Sequence, residues 1–422
     1  MAEGTHTAVA CPETDAERRI VIVGGGYAGT TCAVTLGRRL KGRDDVEILL
    51  VEPDPCQQAL SELDLVAVGP PRPQFCELWH PAVFRNLPVR TCYNRVTAIH
   101  PDEHTVTVGD GQVVPYWRLV VASGAVPVVP PVPGLRERAI TMWSVEDAQE
   151  LQRQGEAAFK HAARLSSAEE RRRTLSFTVV GGGATGVEIV GTMGQLLPKR
   201  MLDAGLDPND LQVNLVEGRP GILYDLHEPQ RDKAVRKLEA MGVTVHTGSM
   251  VDHVEDDAIV LASGARINST VLVWCGGAKA DPHAAEWGFE MDASHRLVTE
   301  IDLKALGHED AYIIGDVASF RNPKKNNILP MLAQMAIQQG PHVANNLMRE
   351  LDGRPTESFI PHMRGEFVSV GPSWGVGWMY GVSLTGLPAI VMKRITYVKY
   401  WLQVGGIPLA WKRTREMLAM QR

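Results

Sequence analysis

The sequence contains no Cys-x-x-Cys or Cys-x4-Cys pair; its six cysteines, Cys11, Cys32, Cys56, Cys76, Cys92 and Cys275, are scattered. That pattern gives no support for a disulfide framework, a zinc ribbon or an iron–sulfur cluster, and it suits a reduced compartment. None of the thirteen histidines stands in a His-Glu-x-x-His motif, so no metal site is expected. Positive charge is not in excess: 43 Lys plus Arg against 49 Asp plus Glu leave a formal net charge of −6. No global basic field recruits nucleic acid. The first 17 residues lack both the basic and the apolar segments of a signal peptide, and a disordered tail ending near Arg18 is expected. Long apolar runs are missing too. Phe367 to Met392 holds no charged residue over 26 positions, but Gly371, Pro372, Gly375, Gly377, Gly381, Gly386 and Pro388 make it read as short strands and turns rather than a membrane span.

What is present is a chain of 422 residues, 44% hydrophobic and 22% charged, long enough for two or three domains. Arg19 to Val23 is a strand-like apolar run that leads into Gly24, Gly25, Gly26, Tyr27, Ala28 and Gly29, and then into a helix-compatible stretch from Thr30 to Leu40. That context turns Gly-x-Gly-x-x-Gly into a dinucleotide fingerprint. Gly24 permits the tight turn, Gly26 lets the backbone approach a pyrophosphate and Gly29 allows close helix packing. The phosphates sit at the helix N-terminus, where free N–H groups and the dipole favour negative charge. The next strand, Val46 to Val51, ends in Glu52, placed to bind the hydroxyls of an adenosine ribose.

The pattern returns 157 residues later. Ser176 to Val180 leads into Gly181, Gly183 and Gly186, with a helix expected through about Leu197, a polar linker from Pro198 to Asp210, and a strand from Leu211 to Val216 that ends in Glu217. A glutamate there hydrogen-bonds a free 2′-hydroxyl and repels a 2′-phosphate, which favours NADH; Arg219, two residues on, keeps NADPH open. Two fingerprints imply two dinucleotides, and the economical pair is a held FAD and an exchangeable nicotinamide.

With these residues in view, the sequence resembles the two-dinucleotide-binding flavoproteins, and more narrowly the type II NADH dehydrogenases (NADH:quinone oxidoreductases). The resemblance is carried by IVIVGGGYAG at 20–29, LVVASGAVPVVPPVPG at 119–134, VVGGGATGVEIVG at 179–191, AYIIGDVAS at 311–319 and LPMLAQMAIQQGPHVANNL at 329–347. It implies that Asp316, with Gly315 beside it, accepts a hydrogen bond from the FAD ribityl chain. It implies the same FAD pocket for Tyr27, Ala28, Ser123, Gly124 and Ala333, with Ser123 where the family more often has Thr. Glu188 matches an acid near the nicotinamide and flavin, Gly276 and Gly277 match the segment against the nicotinamide, and Gln334 and Gln338 match the flavin- and quinone-site helix. One loop departs from the family: Cys56 to Gly69 replaces the usual aromatic and Pro-Leu pattern and brings in Ser61, Glu62 and Asp64. Cys275 reads as a small buried cysteine.

The last thirty residues carry a local charge of +6, from Lys393, Arg394, Lys399, Lys412, Arg413, Arg415 and Arg422 against Glu416. Val391, Ile395, Val398 and Leu402 form one apolar helical stripe with Tyr397, Tyr400, Trp401 and Trp411 nearby, and Gly405, Gly406 and Pro408 break the helix. A helix lying on an anionic membrane surface is expected, with packing on its own domain or a second subunit as the alternative. The whole reads as α/β, with two Rossmann-like dinucleotide-binding domains and a C-terminal membrane-attachment region. The expected divisions are an FAD domain in two parts (19–143 and 291–355), an NADH domain (144–290) joined by a helical linker at Gln152–Arg173, and a C-terminal region (356–422). The activity expected is hydride transfer from NADH to FAD and two-electron reduction of a quinone, at the inner face of the cell membrane, by a monomer or homodimer. A soluble NAD(P)H reductase for another small-molecule acceptor or a partner protein, perhaps serving specialised metabolism, is the second reading. A slowly turning over nicotinamide sensor is the third.

Overall fold

Ile20 to Val23 and Phe177 to Val180 consist almost wholly of apolar, mostly β-branched residues, which suits strands covered on both faces. In the computed structural model, which describes residues 11–12, 17–70, 73–109 and 111–419, each is an interior strand of a separate sheet. In chain order the elements that matter are β1 (Arg18–Val23), α1 (Tyr27–Arg39), β2 (Val46–Val51), α2 (Leu63–Val68), β3 (Val89–Cys92), β4 (Arg118–Val121), β5 (Ala139–Ile140), α3 (Val145–Ala162), α4 (Ala168–Thr174), β6 (Ser176–Val180), α5 (Ala184–Asp203), β7 (Gln212–Val216), β8 (Val243–His246), β9 (Val271–Trp274), β10 (Lys304–Ala305), β11 (His308–Ile313), α6 (Ala333–Leu351), β12 (Gly365–Ser369), β13 (Gly375–Met379), β14 (Val382–Thr385) and α7 (Leu387–Ala419).

The first sheet has the order β10-β11-β4-β1-β2-β3, parallel except for β10. It joins strands from the beginning of the chain to strands near residue 310. The second has the order β5-β9-β6-β7-β8, all parallel. In register, Val23 pairs with Val51 and Val180 with Val216, so each glycine turn leaves its sheet beside the end of the following strand. That edge of a parallel sheet is where such folds bind ligands.

Several expectations are corrected. Cys11 and Cys92 form a disulfide, with Cα atoms 4.9 Å apart across 81 residues of sequence, and Gln112 holds Cys11 through both its N–H and its carbonyl. No spacing motif marks such a pair; it exists because the segment at Cys11 lies against the first sheet's apolar face. Of the expected tail, residues 1–10 and 13–16 lie outside the described residues. Helix α5 continues through Pro198 to Asp203, beyond the expected end at Leu197, because Leu197 and Met201 on either side of the proline are both buried. The stretch Gln152–Arg173 is not one linker helix but the end of α3 and most of α4. Phe367 to Met392 does form strands, the antiparallel meander β12–β14, before α7 begins. Helix α7 is broken at Gly406, whose φ is 68°. Among the described residues no helix is long and apolar enough to cross a membrane.

Helices α1 and α6 cross at Gly340, where a Cβ would lie 2.2 Å from Thr31 Oγ1 and 2.4 Å from the Ala28 carbonyl oxygen. The crossing holds the first glycine turn against the segment that follows β11. Gly340→Ala is expected to cost about 1–3 kcal/mol by overpacking. Urea denaturation measures it, and an unchanged midpoint would contradict the tight crossing.

Candidate functional site

The two glycine turns are built alike. Gly24 has φ +102° and a Cβ there would sit 2.3 Å from the Ala122 carbonyl oxygen; Gly181 has φ +118° and would meet the Cys275 carbonyl oxygen at 2.3 Å. Only glycine tolerates both the conformation and the approach. Gly29 and Gly186 lie against the carbonyls of Gly24 and Gly181, each at 1.9 Å from the missing Cβ. At Gly26 and Gly183 a Cβ would meet nothing, so the backbone there faces open space. These two are the N-cap residues of α1 and α5, and neither helix has a side-chain cap. Uncapped N–H groups at an open helix start are what a pyrophosphate requires.

The acid ending each second strand is also used twice in one way. Glu52 accepts from the Gly25 N–H at 2.5 Å and the Asp54 N–H at 3.2 Å; Glu217 accepts from the Gly182 N–H at 2.6 Å and the Arg219 N–H at 2.7 Å. Each carboxylate thus fixes its glycine loop and keeps lone pairs for a ribose hydroxyl. Burial pushes the Glu52 carboxyl above its usual range, against the opposing N–H groups of Gly25 and Asp54.

A cavity of about 1240 Å³ opens from the first turn and runs between the lobes. Gly24, Gly26, Tyr27, Ala28 and Glu52 line one end, Ser123, Gly124, Gly315 and Asp316 the wall beside it, and Ala333, Gln334 and Gln338 on α6 the next. The second lobe contributes Thr185 and Glu188 from α5, and Lys393, Tyr397 and Tyr400 from α7 close the far side. Gly181, Gly183, Gly186, Glu217, Gly276 and Gly277 are not in this wall; they lie at the second glycine turn and at the end of β9 beside it. The cavity wall contains an orphan: the buried Ser123 Oγ has no hydrogen-bond partner among the described residues. Asp316, raised by burial and lowered by Arg296, faces the same space. An apolar-polar cavity beside an uncapped helix start, with an unmet hydroxyl and a buried carboxyl, fits a dinucleotide with a long polar linker.

Glu188 is buried rather than solvent-facing. Its Oε1 accepts from Lys393 Nζ at 2.5 Å and from the Ser369 N–H at 3.0 Å. Burial works against the Lys393 ammonium, but Glu188, Tyr397 and Asp64 hold its pKa above the ordinary lysine value. Asp64 accepts from Thr192 Oγ1 at 2.6 Å, and burial and Glu188 raise its pKa. Glu62 is 3% exposed. Burial pushes its carboxyl up to about 8, against the lowering influence of Arg413 and Lys393.

The sequence profile of the pyridine nucleotide-disulphide oxidoreductases matches residues 18–340. The chain belongs to that family. Among curated relatives it is 28% identical over 401 residues to the type II NADH:quinone oxidoreductase of Staphylococcus haemolyticus, covering 94% of this chain and 98% of the relative. Among solved structures it is similar to NDH2 from Plasmodium falciparum in complex with NADH, with TM-score 0.82, 15% identity, and 96% and 97% of the two chains covered. The sulfide:quinone oxidoreductase of Aquifex aeolicus follows the same fold with TM-score 0.76, 16% identity, and 92% and 91% covered. As a pyridine nucleotide-disulphide oxidoreductase family member, the chain has the family's two dinucleotide-binding lobes. Among its described residues Cys32, Cys56, Cys76 and Cys275 are free; Cys275, read from the sequence as a small buried cysteine, is half-buried, and its surroundings push the thiol up to about 12.

Sequence reasoning missed several residues of this family member's site. Gln339 Oε1 accepts from the Gly315 N–H at 2.7 Å and so sets the turn beside Asp316. His80 lies under the first glycine turn, its Nε2 3.1 Å from the Gly25 carbonyl oxygen, and burial lowers its pKa to about 4, which keeps the ring neutral. Gln334 and Gln338 line the cavity, but their amides also clamp the chain before β12: Gln334 bonds Arg364 N–H and Gly365 C=O, and Gln338 bonds both backbone groups of His362. Lys393 was counted as a surface charge. The only signal for it was that a lysine stood inside an otherwise apolar helical face.

Lys393→Met leaves Glu188 buried beside the Ser369 N–H alone. A loss of about 3–5 kcal/mol is expected, with much of it restored in the Lys393→Met/Glu188→Gln double variant. Urea denaturation of both variants measures this; a single-variant loss under about 1 kcal/mol would mean that the pair is not closed to water.

Proposed function

We propose that this protein oxidises NADH with a bound FAD and passes two electrons to a quinone, as a type II NADH dehydrogenase. The observation that carries the reading is that two glycine cradles of one design serve one shared space: the first opens into the cavity directly, and α5 of the second sends Thr185 and Glu188 into it. FAD, when bound, supplies the ability to take a hydride and release electrons singly or in pairs. In this reading Gly24, Gly26, Gly29, Tyr27 and Ala28 hold its pyrophosphate at the start of α1, Glu52 its adenosine ribose, and Ser123, Gly124, Gly315 and Asp316 its linker. Ala333 and Gln334 border its ring. NADH is held on the second glycine turn, by Gly181, Gly183, Gly186 and Glu217, with Gly276 and Gly277 beside the nicotinamide. The proposed divisions are FAD residues at 19–143 and 291–355 flanking an NADH domain at 144–290; they follow the two sheets except at β5 (Ala139–Ile140), which pairs into the second sheet.

The residues themselves have modest duties in the hydride step: orientation, exclusion of water, and a fixed carboxylate–ammonium pair at Glu188 and Lys393 that adds no net charge. NADH is favoured over NADPH because Glu217 faces the ribose position, while the Arg219 guanidinium lies over the Tyr224 ring, 5.4 Å from its centroid. The second reading, a different small-molecule acceptor, draws on the polar Cys56–Gly69 loop, whose Ser61 and Glu62 line the cavity.

The same proposal includes attachment to a membrane surface. Val391, Ile395 and Leu402 are 43%, 50% and 44% exposed, and Trp411 and Ile407 beyond the kink are also exposed. Three of the four stripe residues are therefore exposed among the described residues, while Val398 packs against the core and the opposite face of α7 carries Tyr400, Trp401 and Val404 into it. Its exposed charges are fewer than the sequence count implies: Lys393 and Arg413 are held internally, Arg394 is half-buried and donates to the Pro372 carbonyl, Lys399, Lys412 and Arg415 are exposed, and Arg422 lies outside the described residues.

Anaerobic stopped-flow mixing tests the electron path. NADH is expected to bleach the flavin at least about tenfold faster than NADPH, the worth of one charge-assisted hydrogen bond, and a short-chain quinone to restore it faster than oxygen. Reoxidation by oxygen as fast as by any quinone would favour the second reading. Substituting Val391, Ile395 and Leu402 together by Ser is expected to weaken binding to anionic vesicles about tenfold or more, the equivalent of about 1.4 kcal/mol of apolar burial; equal binding would remove the membrane from the proposal.

A further inference from the structure

The polar loop that departs from the family pattern places a carboxyl group where its chemistry is unaccounted for. Glu62 sits just before α2, lines the central cavity, and is buried with its Oε2 meeting no hydrogen-bond donor among the described residues. Two cations lie near enough to influence it, and both are engaged elsewhere. Lys393 donates to Glu188 and to Ser369 Oγ at 2.9 Å. Arg413 donates to the carbonyls of Gln74 at 2.6 Å and Phe75 at 3.3 Å, to that of Glu77, and to Glu416 at 3.2 Å. A carboxylate with no donor and no free cation in a closed wall is costly, whereas a neutral carboxylic acid is not.

We propose that Glu62 is a proton donor to the electron acceptor, delivering from its carboxyl the one proton that a hydride does not bring to a quinone. The inference rests on the quinone-reducing reading given above. NADH supplies two electrons and one proton as hydride, and a quinone becomes a quinol by taking two electrons and two protons. In the proposed step the O–H bond of Glu62 breaks as an O–H bond forms on a quinone oxygen; bulk water then returns a proton to the carboxylate. The net change is NADH plus quinone plus one proton from solvent, giving NAD⁺ and quinol.

Neighbouring groups are less suited. Glu188 is engaged by the Lys393 ammonium and the Ser369 N–H, and Asp64 is hydrogen-bonded to Thr192. Tyr27, Tyr397 and Cys76, which also face Glu62, have their pKa values raised far above neutral by burial first and by Glu62 among the charges around them. Arg413 and Lys393 from α7 pull the Glu62 pKa down, and Asp64 on α2 pushes it up; burial outweighs the cations and leaves it at about 8. The raised value means that the proton is present at neutral pH and is lost as pH rises through about 8.

The test compares the wild-type holoenzyme with Glu62→Gln, which keeps the shape and the neutral state without the proton. Each flavin is reduced with NADH and then reoxidised with a water-soluble quinone, which needs protons, and separately with ferricyanide, which does not. The ratio of the quinone rate to the ferricyanide rate is expected to fall about 100-fold in Glu62→Gln, the lower range of what a positioned general acid provides. The wild-type ratio is expected to fall with rising pH around about 8 and the variant's to stay flat. Infrared titration gives a readout independent of turnover: a carboxyl C=O band that titrates around pH 8 in the wild type, above those of Asp64 at about 6 and of the cavity-lining Glu366 at about 7, and that is absent in Glu62→Gln. A ratio within about twofold of wild type, or an identical carboxyl band in both proteins, overturns the role of Glu62. A wild-type enzyme that ferricyanide reoxidises and no quinone does overturns the quinone reading, and this inference with it. Ferricyanide in the same variant also reports whether the fold and the NADH site survive.

Discussion

An ammonium group inside a protein needs carboxylates around it, and Lys393 sets this requirement for the whole cavity. Its Nζ reaches Glu188 on α5 and Ser369 at the end of β12, with Asp64 on α2 close enough to raise its pKa. Three elements that are far apart in sequence are thereby drawn to one point. Such a pair adds little net stability, because desolvation offsets the attraction, but neither member can be left alone there. Helix α7 cannot leave without exposing Glu188 to an uncompensated interior, so the far wall of the cavity is held in place by electrostatic necessity as much as by the packing of Tyr400 and Trp401. The same pairing explains why Glu62 has no cation of its own. Each nearby positive charge is engaged before Glu62 can claim it.

Against this asymmetric wall, the nucleotide ends are symmetric. Both lobes hold the middle glycine of their turn through a glutamate from the next strand, and both press the first glycine against a carbonyl of a third strand's exit. The duplication is backbone chemistry, and it determines where phosphates and riboses are held. What makes the lobes unequal is what lies beyond the turn. The first faces Asp316, Ser123 and the α6 glutamines across a large cavity, whereas the second lobe sends only the start of α5, through Ala184, Thr185 and Glu188, into the shared space. That inequality lies in the surroundings of the turns and not in the fingerprints, which are alike.

The parts legible in the sequence are those coded by neighbouring residues. A strand, a glycine turn, a helix and a terminal acid lie within about thirty residues, so both cradles and the central strands of both sheets could be read directly. The break of α7 at Gly406 and the strands of 365–385 were legible for the same reason: glycine and proline act locally. The missed features all join distant positions. Glu188 and Lys393 are 205 residues apart, Tyr400 Oη and Gln57 343, and Cys11 and Cys92 81. Gln334 and Gln338 were read as facing a ring, yet their amides also bind a strand entry some thirty residues on. An amphipathic helix position announces that a side chain has a neighbour, not which one.

In the C-terminal region the apolar stripe is only one of two apolar faces that the helix carries. The stripe Val391, Ile395, Val398 and Leu402 follows helical spacing, and a core face was one of the two meanings that pattern allowed. In the fold the core face is the other side, through Ala389, Ile390, Tyr400 and Val404, and the charges divide in the same way: Lys393 and Arg413 turn inward while Lys399, Lys412 and Arg415 remain outside. An uncovered apolar stripe with three flanking cations relies on apolar contact more than on field strength for any docking it makes. The inward cations serve the opposite end of the same problem. They line the cavity from α7, so one helix turns two of its cations inward, packs Tyr400, Trp401 and Val404 into the core, and leaves Val391, Ile395 and Leu402 on its outer side.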